Sequence, residues 1–224
     1  MALKPNVAID GPAGSGKSTV ARLVARKLGY LYVDTGAMYR ALTLKALRGA
    51  LDFGDPASLT AMASLTTIDL RVDGEQNLSV FLDSEDVTEA IREPAVSQKA
   101  SFVAAIPQIR KRLVKMQQTL AAEGGVVMEG RDIGTVVLPD APVKVFLTAS
   151  PEERAARRLA ELKAKGFNLS EEAMQREINE RDRLDSEREA DPLTQAGDAF
   201  LINCSALSAE DVAEIIISKI RAAS

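Results

Sequence analysis

Residues Gly11-Pro12-Ala13-Gly14-Ser15-Gly16-Lys17-Ser18 fit the spacing G-x-x-x-x-G-K-[ST]. In that pattern backbone amides wrap nucleotide phosphates and the Lys ammonium reaches their outer oxygens. Glycines at 11, 14 and 16 let the backbone approach an anion with no Cβ in the way, and a helix start at Lys17 adds free N–H groups and a positive dipole end. The chain contains no histidine. Ser-His and Cys-His nucleophiles and His-ligated metals are therefore excluded. Phosphoryl transfer survives this exclusion, because it relies on Lys, Arg and Mg²⁺ for positioning and charge neutralisation more than on imidazole proton shuttling.

Three further groups carry charge at suggestive places. Thr35 and Arg40 follow an apolar segment that reads as a strand, and Glu129-Gly130-Arg131-Asp132-Ile133-Gly134 follows another. Ligands of open α/β sheets sit beyond the carboxyl ends of strands. Either group could meet a ligand, or be a helix-surface Arg in one case and a turn with a solvent ion pair in the other. Residues 154–188 are dense in arginine and acid. Most of this reads as solvated helix face, with Arg157 and Glu161 at i,i+4 spacing. Arg181, Asp185 and Arg188, at i, i+4 and i+7, would share one helical face able to clamp a phosphoryl group and accept a hydrogen bond from a sugar hydroxyl.

These groups need elements to hold them. Asn6–Asp10 reads as a buried strand, Val20, Leu23, Val24 and Leu28 recur at helical spacing after Lys17, and Tyr30–Asp34 reads as a second strand before a helix through Leu47 that Gly49 ends. Ile68–Val72 and Leu78–Leu82 alternate around Asp73-Gly74, an antiparallel hairpin. Residues 86–122 read as mostly helical with a break near Pro107. Gly125–Met128 and Val143–Leu147 are buried strands. Ser150-Pro151-Glu152-Glu153 is a helix start with Ser cap, Pro first and Glu third, ended by Gly166. A further helix follows Ser170, Phe200–Asn203 reads as the last buried strand, and Ser208 caps a final helix. Strands alternating with helices predict an α/β fold, a parallel five-stranded sheet with helices on both faces, with the hairpin inserted.

A chain of 224 residues suits one domain, and 28 Lys+Arg against 32 Asp+Glu leave a net charge of −4. No global positive field attracts polymeric nucleic acid. No apolar run reaches membrane-spanning length and no signal segment opens the chain, so a cytoplasmic protein away from membranes is expected. Cys204, the single cysteine, reads as a small buried hydrophobe rather than a reactive thiol.

Gly11–Thr19, Asp34-Thr35-Gly36-Ala37-Met38-Tyr39-Arg40, Gly130-Arg131-Asp132-Ile133-Gly134-Thr135-Val136-Val137 and Arg181-Asp182-Arg183-Leu184-Asp185-Ser186-Glu187-Arg188 together resemble the bacterial cytidylate kinase family, over nearly the whole chain. The resemblance implies a P-loop NTPase fold in a single domain over 1–224, with a monophosphate-binding region at about 36–108 that carries the hairpin insert at about 63–104, and a helical lid at about 154–188. It implies transfer of the γ-phosphoryl of ATP to CMP or dCMP with Mg²⁺, by a monomer. By matching position, Gly11, Pro12, Ala13, Gly14, Ser15, Gly16, Lys17, Ser18 and Thr19 would hold ATP phosphates, with Ser18 toward Mg²⁺, partly through water. Thr35, Arg40, Arg131 and Arg188 would bind the acceptor phosphate and Asp185 the ribose. Ser101, Arg110 and Asp132 would read cytosine, and Arg158 and Arg181 would neutralise the transferring group alongside Lys17, Arg131 and Arg188. Kinases for UMP, AMP or shikimate are the nearest alternatives. A regulatory GTPase is disfavoured by the lack of an Asn-Lys-x-Asp segment, and a noncatalytic nucleotide-binding module by the arginine-rich lid.

Overall fold

The side chains of Val7, Ala8, Ile9 and Asp10 are all buried. A strand covered on both faces needs backbone partners on both edges. This first strand, β1 (Val7–Asp10), has them in the computed structural model, which describes residues 4–72 and 78–223. The chain continues through α1 (Lys17–Leu28), β2 (Leu31–Asp34), α2 (Thr35–Arg48), α3 (Pro56–Ser64), β3 (Ile68–Val72), β4 (Leu78–Leu82), β5 (Glu85–Asp86), α4 (Pro94–Ala104) and α5 (Pro107–Leu120). It then runs through β6 (Val126–Gly130), β7 (Val143–Thr148), α6 (Pro151–Ala164), α7 (Glu171–Glu187), β8 (Phe200–Asn203) and α8 (Ala209–Ala223). The main sheet has the order β2-β6-β1-β7-β8, all parallel, with β1 paired to β6 (Val7 opposite Val127) and to β7 (Val7 opposite Val143).

Period-2 alternation in β1 sends Val7 and Ile9 to a core built with α1 and α8, and Ala8 to a second core with α5 and the turn at Ile133–Val137. The sheet is thus covered on both faces, as expected. The inserted region packs a core of its own, in which Ile68, Val80 and Leu82 meet α2, α3, α4 and α5. Helices α6 and α7 form a hairpin around Leu159, Leu162, Met174 and Ile178 that also packs on Ala13. At about 1.5–3 kcal/mol for each such buried side chain, the two helices hold together as one unit.

Several expectations need correction. The strand at Phe200–Asn203 lies at the sheet edge and buries only Ile202, because no strand among the described residues pairs beyond it and α8 covers one face alone. Arg157 does not pair with Glu161; its guanidinium donates to the Cys204 carbonyl at 2.8 Å, and Arg158 takes Glu161 at 3.0 Å. Helical structure after Asp86 begins only with a 3₁₀ turn at Ala90–Arg92 and then α4, since Glu85–Asp86 adds a third strand to the insert's sheet. Helix α3, capped by Asp55 with Pro56 at its first position, was missed despite that start signal. The Asp73-Gly74 turn lies outside the described residues. The break near Pro107, the Ser150–Glu153 capping box and the buried Cys204 are all present.

Candidate active site

The carboxyl ends of β1, β2 and β6 open into a cavity of about 520 Å³ roofed by α6 and α7 and closed on the insert side by α4. Its lining brings together Ala13, Gly14, Gly16, Lys17, Ser18 and Thr19 from the loop and start of α1, and Thr35 and Arg40 from the start of α2. Ser101 and Arg110 from α4 and α5, Arg131 and Asp132 after β6, and Arg158, Arg181, Asp185 and Arg188 complete the set. Gly11, Pro12 and Ser15 stand behind this surface.

The loop's shape depends on its glycines. Gly11 has φ +148°, and a Cβ there would fall 2.1 Å from the Leu147 carbonyl oxygen; Gly14 has φ +73°, and its Cβ would fall 2.7 Å from the Arg154 carbonyl oxygen. Neither place admits a side chain. Lys17 is folded onto the loop, donating to the Pro12 carbonyl at 2.7 Å and the Ser15 hydroxyl at 3.3 Å. Burial, with the Arg131 charge beside it, pulls its pKa down to about 7. Arg181 is likewise lowered to about 10 by burial and then by Arg131, and its Nε is buried with no hydrogen-bond partner among the described residues. Both cations thus lie in a desolvated site that favours an incoming anion.

On the other side each arginine already touches a carboxylate. Arg40 pairs with Asp34 at 2.7 Å, and Arg131 with Asp185 at 2.8 Å. Arg110 pairs with Asp132 and, at 2.7 Å, with Asp191, while Arg188 lies 3.5 Å from Asp132 and donates to the Asp191 carbonyl at 2.8 Å. Ser101 donates to Asp185 at 2.9 Å. Burial alone would raise the Asp185 carboxyl, but Arg131 and Arg181 hold it below its usual value. The Thr35 hydroxyl donates to the Glu129 carbonyl at 2.7 Å, which leaves its lone pairs for a donor.

Arg188 reaches the cavity differently from expected. Helix α7 stops at Glu187, and Arg188 is extended with φ −62° and ψ 142°, so it does not share a helical face with Arg181 and Asp185. The chain turns out at Asp191, whose φ is +49°, before Pro192, and the grip of Arg188 on the Asp191 carbonyl closes that turn.

Sequence reasoning missed several groups at this site. Glu129 stands at the same strand end that singled out Arg131; it is buried, bonded by Tyr32 at 2.7 Å with the Ser18 hydroxyl beside it, and raised by burial and by Asp34. The Tyr39 hydroxyl is buried in the cavity lining with no partner among the described residues. Asp10, raised to about 6 by burial, accepts from the Ile133 and Gly134 amides at 2.8 and 2.7 Å and so pins the turn that presents Arg131 and Asp132. Asp191 sits three places beyond Arg188, a short-range signal that was readable. The Ser18 hydroxyl beside the Glu129 carboxylate is an all-oxygen donor set. That set fits Mg²⁺, a hard cation that takes few protein ligands and keeps water and phosphate oxygens.

A family model described as Cytidylate kinase matches residues 7–222. The chain belongs to the cytidylate kinase family. It is 57% identical to "Cytidylate kinase" of Pelotomaculum thermopropionicum over 97% of this chain and 96% of that protein. It is 54% identical to "Cytidylate kinase" of Bacillus licheniformis over 94% of this chain and 93% of that one. Among solved structures, an uncharacterized protein from Eubacterium ventriosum aligns over 98% of this chain and 99% of its own length with a TM-score of 0.54 at 14% identity, a likeness of fold alone. Family membership makes the protein a nucleoside monophosphate kinase with ATP as co-substrate. Among the described residues no helix is long and apolar enough to cross a membrane.

Proposed function

We propose that this protein transfers the γ-phosphoryl of ATP to the 5′-phosphate of CMP and dCMP, giving CDP or dCDP and ADP. The observation that carries the choice of base is the buried Arg110–Asp132 pair in the cavity wall opposite the phosphate loop. Cytosine presents an amino donor at N4 beside acceptors at N3 and O2, and a guanidinium next to a carboxylate offers the complementary donor and acceptor side by side. Ser101, at the same wall, would complete the base contacts.

Gly11–Thr19 would cradle the ATP phosphates, with Lys17 leaving the Pro12 carbonyl for the β/γ oxygens. Thr35, Arg40, Arg131 and Arg188 would hold the acceptor phosphate, and Asp185 the ribose. Arg158 and Arg181 would stabilise charge on the transferring group together with Lys17, Arg131 and Arg188. Ser18, and Glu129 through water, would hold Mg²⁺, which supplies further charge neutralisation on the phosphate oxygens. Catalysis on this reading is positioning plus electrostatics in a site that excludes water.

Residues from about 36 to 108 would form the monophosphate-binding region, including the insert at about 63–104, and residues from about 154 to 188 the lid, all within one domain over 1–224. Closure would require the monophosphate, since an ordered lid over ATP alone would permit hydrolysis. The setting this reading calls for is a cytoplasmic monomer, because its substrates are the cell's nucleotides and the residues of one chain suffice to line the cavity. ADP release from ATP across a panel of monophosphates tests it. Turnover with CMP and dCMP far above UMP and AMP is expected, and equal turnover with UMP would replace the reading by a broader pyrimidine kinase.

A further inference from the structure

Arg154 and Asp182 lie outside every role assigned above, yet they make the most direct contact between the phosphate loop and the roof of the cavity. Arg154, in the first turn of α6, is 5% exposed. Its guanidinium donates to the Ala149 carbonyl at 3.1 Å, to the Ala13 carbonyl at 3.0 Å and to the Asp182 carboxylate at 2.5 Å. The other Asp182 oxygen accepts from the Ala13 amide at 3.4 Å, 169 positions away in sequence. Both backbone groups of Ala13 are therefore engaged by one ion pair whose acid belongs to α7. The Ala13 methyl packs into the α6–α7 core, and Gly14 abuts the Arg154 backbone. Asp182 immediately follows Arg181.

We infer that Arg154 and Asp182 are positioning residues which lock α7 to the phosphate loop, so that a nucleotide seated in the loop sets the register of Arg181 over its phosphates. This inference rests on the reading of Gly11–Thr19 as the ATP site. The carboxylate is essential to the arrangement. Asp182 faces two donors, the Arg154 guanidinium and the Ala13 N–H, and asparagine offers one acceptor and one donor in its place. One of the two donors would then face an NH₂ group.

Hydrogen exchange on the full chain with and without a nonhydrolysable ATP analogue, Mg²⁺ and CMP together tests it, combined with steady-state kinetics. In the unsubstituted protein this ligand set should slow exchange both at residues 11–19 and at residues 171–187. In Asp182→Asn, slowing at 11–19 should persist while slowing at 171–187 drops at least ~5-fold, kcat falls ~10-fold or more, and KM for CMP stays within about threefold. Asp182→Glu should restore much of both. Arg154→Lys, which keeps the charge but cannot span two acceptors in the same fork, should repeat the Asn split and serves if Asp182→Asn folds poorly. A merely structural pair would lower melting temperature and leave kcat per folded molecule and the exchange pattern intact; that result, or α7 unaffected by the analogue, Mg²⁺ and CMP together in the unsubstituted protein, overturns the inference. Absence of slowing at 11–19 in the unsubstituted protein would instead bring down the ATP-site reading beneath it, and is distinguishable because the first case retains it.

Discussion

On the side of the cavity that runs from the start of α2 past α5 and the turn after β6 to the end of α7, Arg40, Arg110, Arg131 and Arg188 each rest against a carboxylate. At the phosphate loop, Lys17 is turned onto a carbonyl and a hydroxyl, and Arg181 leaves a buried N–H unpaired among the described residues. One cavity thus holds two kinds of positive charge. Paired arginines are geometrically fixed, so that Arg110 beside Asp132 can discriminate a small neutral base and Arg40, Arg131 and Arg188 can receive the acceptor phosphate, whereas desolvated cations without a carboxylate partner are poised for the multiply charged phosphate chain of the donor. The contrast separates recognition of the acceptor from charge stabilisation on the donor, and each side can be broken on its own.

The largest effect should lie on the paired side. UMP in the pose argued for CMP presents a donor where Arg110 donates and an acceptor where Asp132 accepts. Two buried unsatisfied groups at about 1–3 kcal/mol each should disfavour UMP by roughly 30-fold to 10⁴-fold in kcat/KM. Asp132→Ala should damage CMP turnover and narrow that gap, measured as kcat/KM for both nucleotides. If wild-type protein uses UMP within about threefold of CMP, outside the range those costs allow, the Arg110–Asp132 pair does not read the base.

On the unpaired side, Lys17→Ala should lose at least ~10²-fold in kcat, about 3 kcal/mol, while staying folded by circular dichroism. Near wild-type turnover would remove Lys17 from the transition state. Removal of Mg²⁺ by excess EDTA should abolish activity in the same assay.

The local half of this arrangement was readable in the chain. Gly11–Thr19 is contiguous, and Asp34–Arg40 lies within two helical turns of a strand end, so both could be placed from spacing. What escaped was set by distant packing. The pairing of Ala13 with Asp182, of Arg157 with the Cys204 carbonyl and of Asp10 with the amides at 133 and 134 each joins residues more than 40 positions apart. No periodicity encodes such contacts. The edge position of Phe200–Asn203 escaped for the same reason, since Phe200, Leu201 and Ile202 are as apolar as a central strand and only the sheet order reveals that two of them are exposed.

A smaller effect follows from the lowered pKa of Lys17. In the free protein it titrates near 7, and a bound triphosphate should raise that value by favouring the ammonium. Binding above pH 7 then takes up a proton, so the affinity for ATP should weaken by up to ~10-fold per pH unit above 7 until the bound-state pKa is reached. Calorimetry in buffers of different ionisation enthalpy reads the proton uptake directly. An affinity flat from pH 6.5 to 8.5 would mean that Lys17 is fully charged before ATP arrives.

The smallest effect sharpens the contrast within a single helix. Arg181 and Arg183 are two places apart in α7, which turns them to different faces. Arg181 points into the cavity, whereas Arg183 bridges Glu180 and Glu187, both at 2.8 Å, with half its side chain in solvent. Exposed pairs of this kind contribute little, because water and salt screen them. Arg183→Ala should therefore keep kcat/KM within about twofold and melting within a few degrees, whereas Arg181→Ala should cost ~10-fold or more in kcat if its unpaired guanidinium meets the transferring group. Equal losses at the two positions would show that α7 acts through its helicity or docking rather than through the one arginine it turns inward.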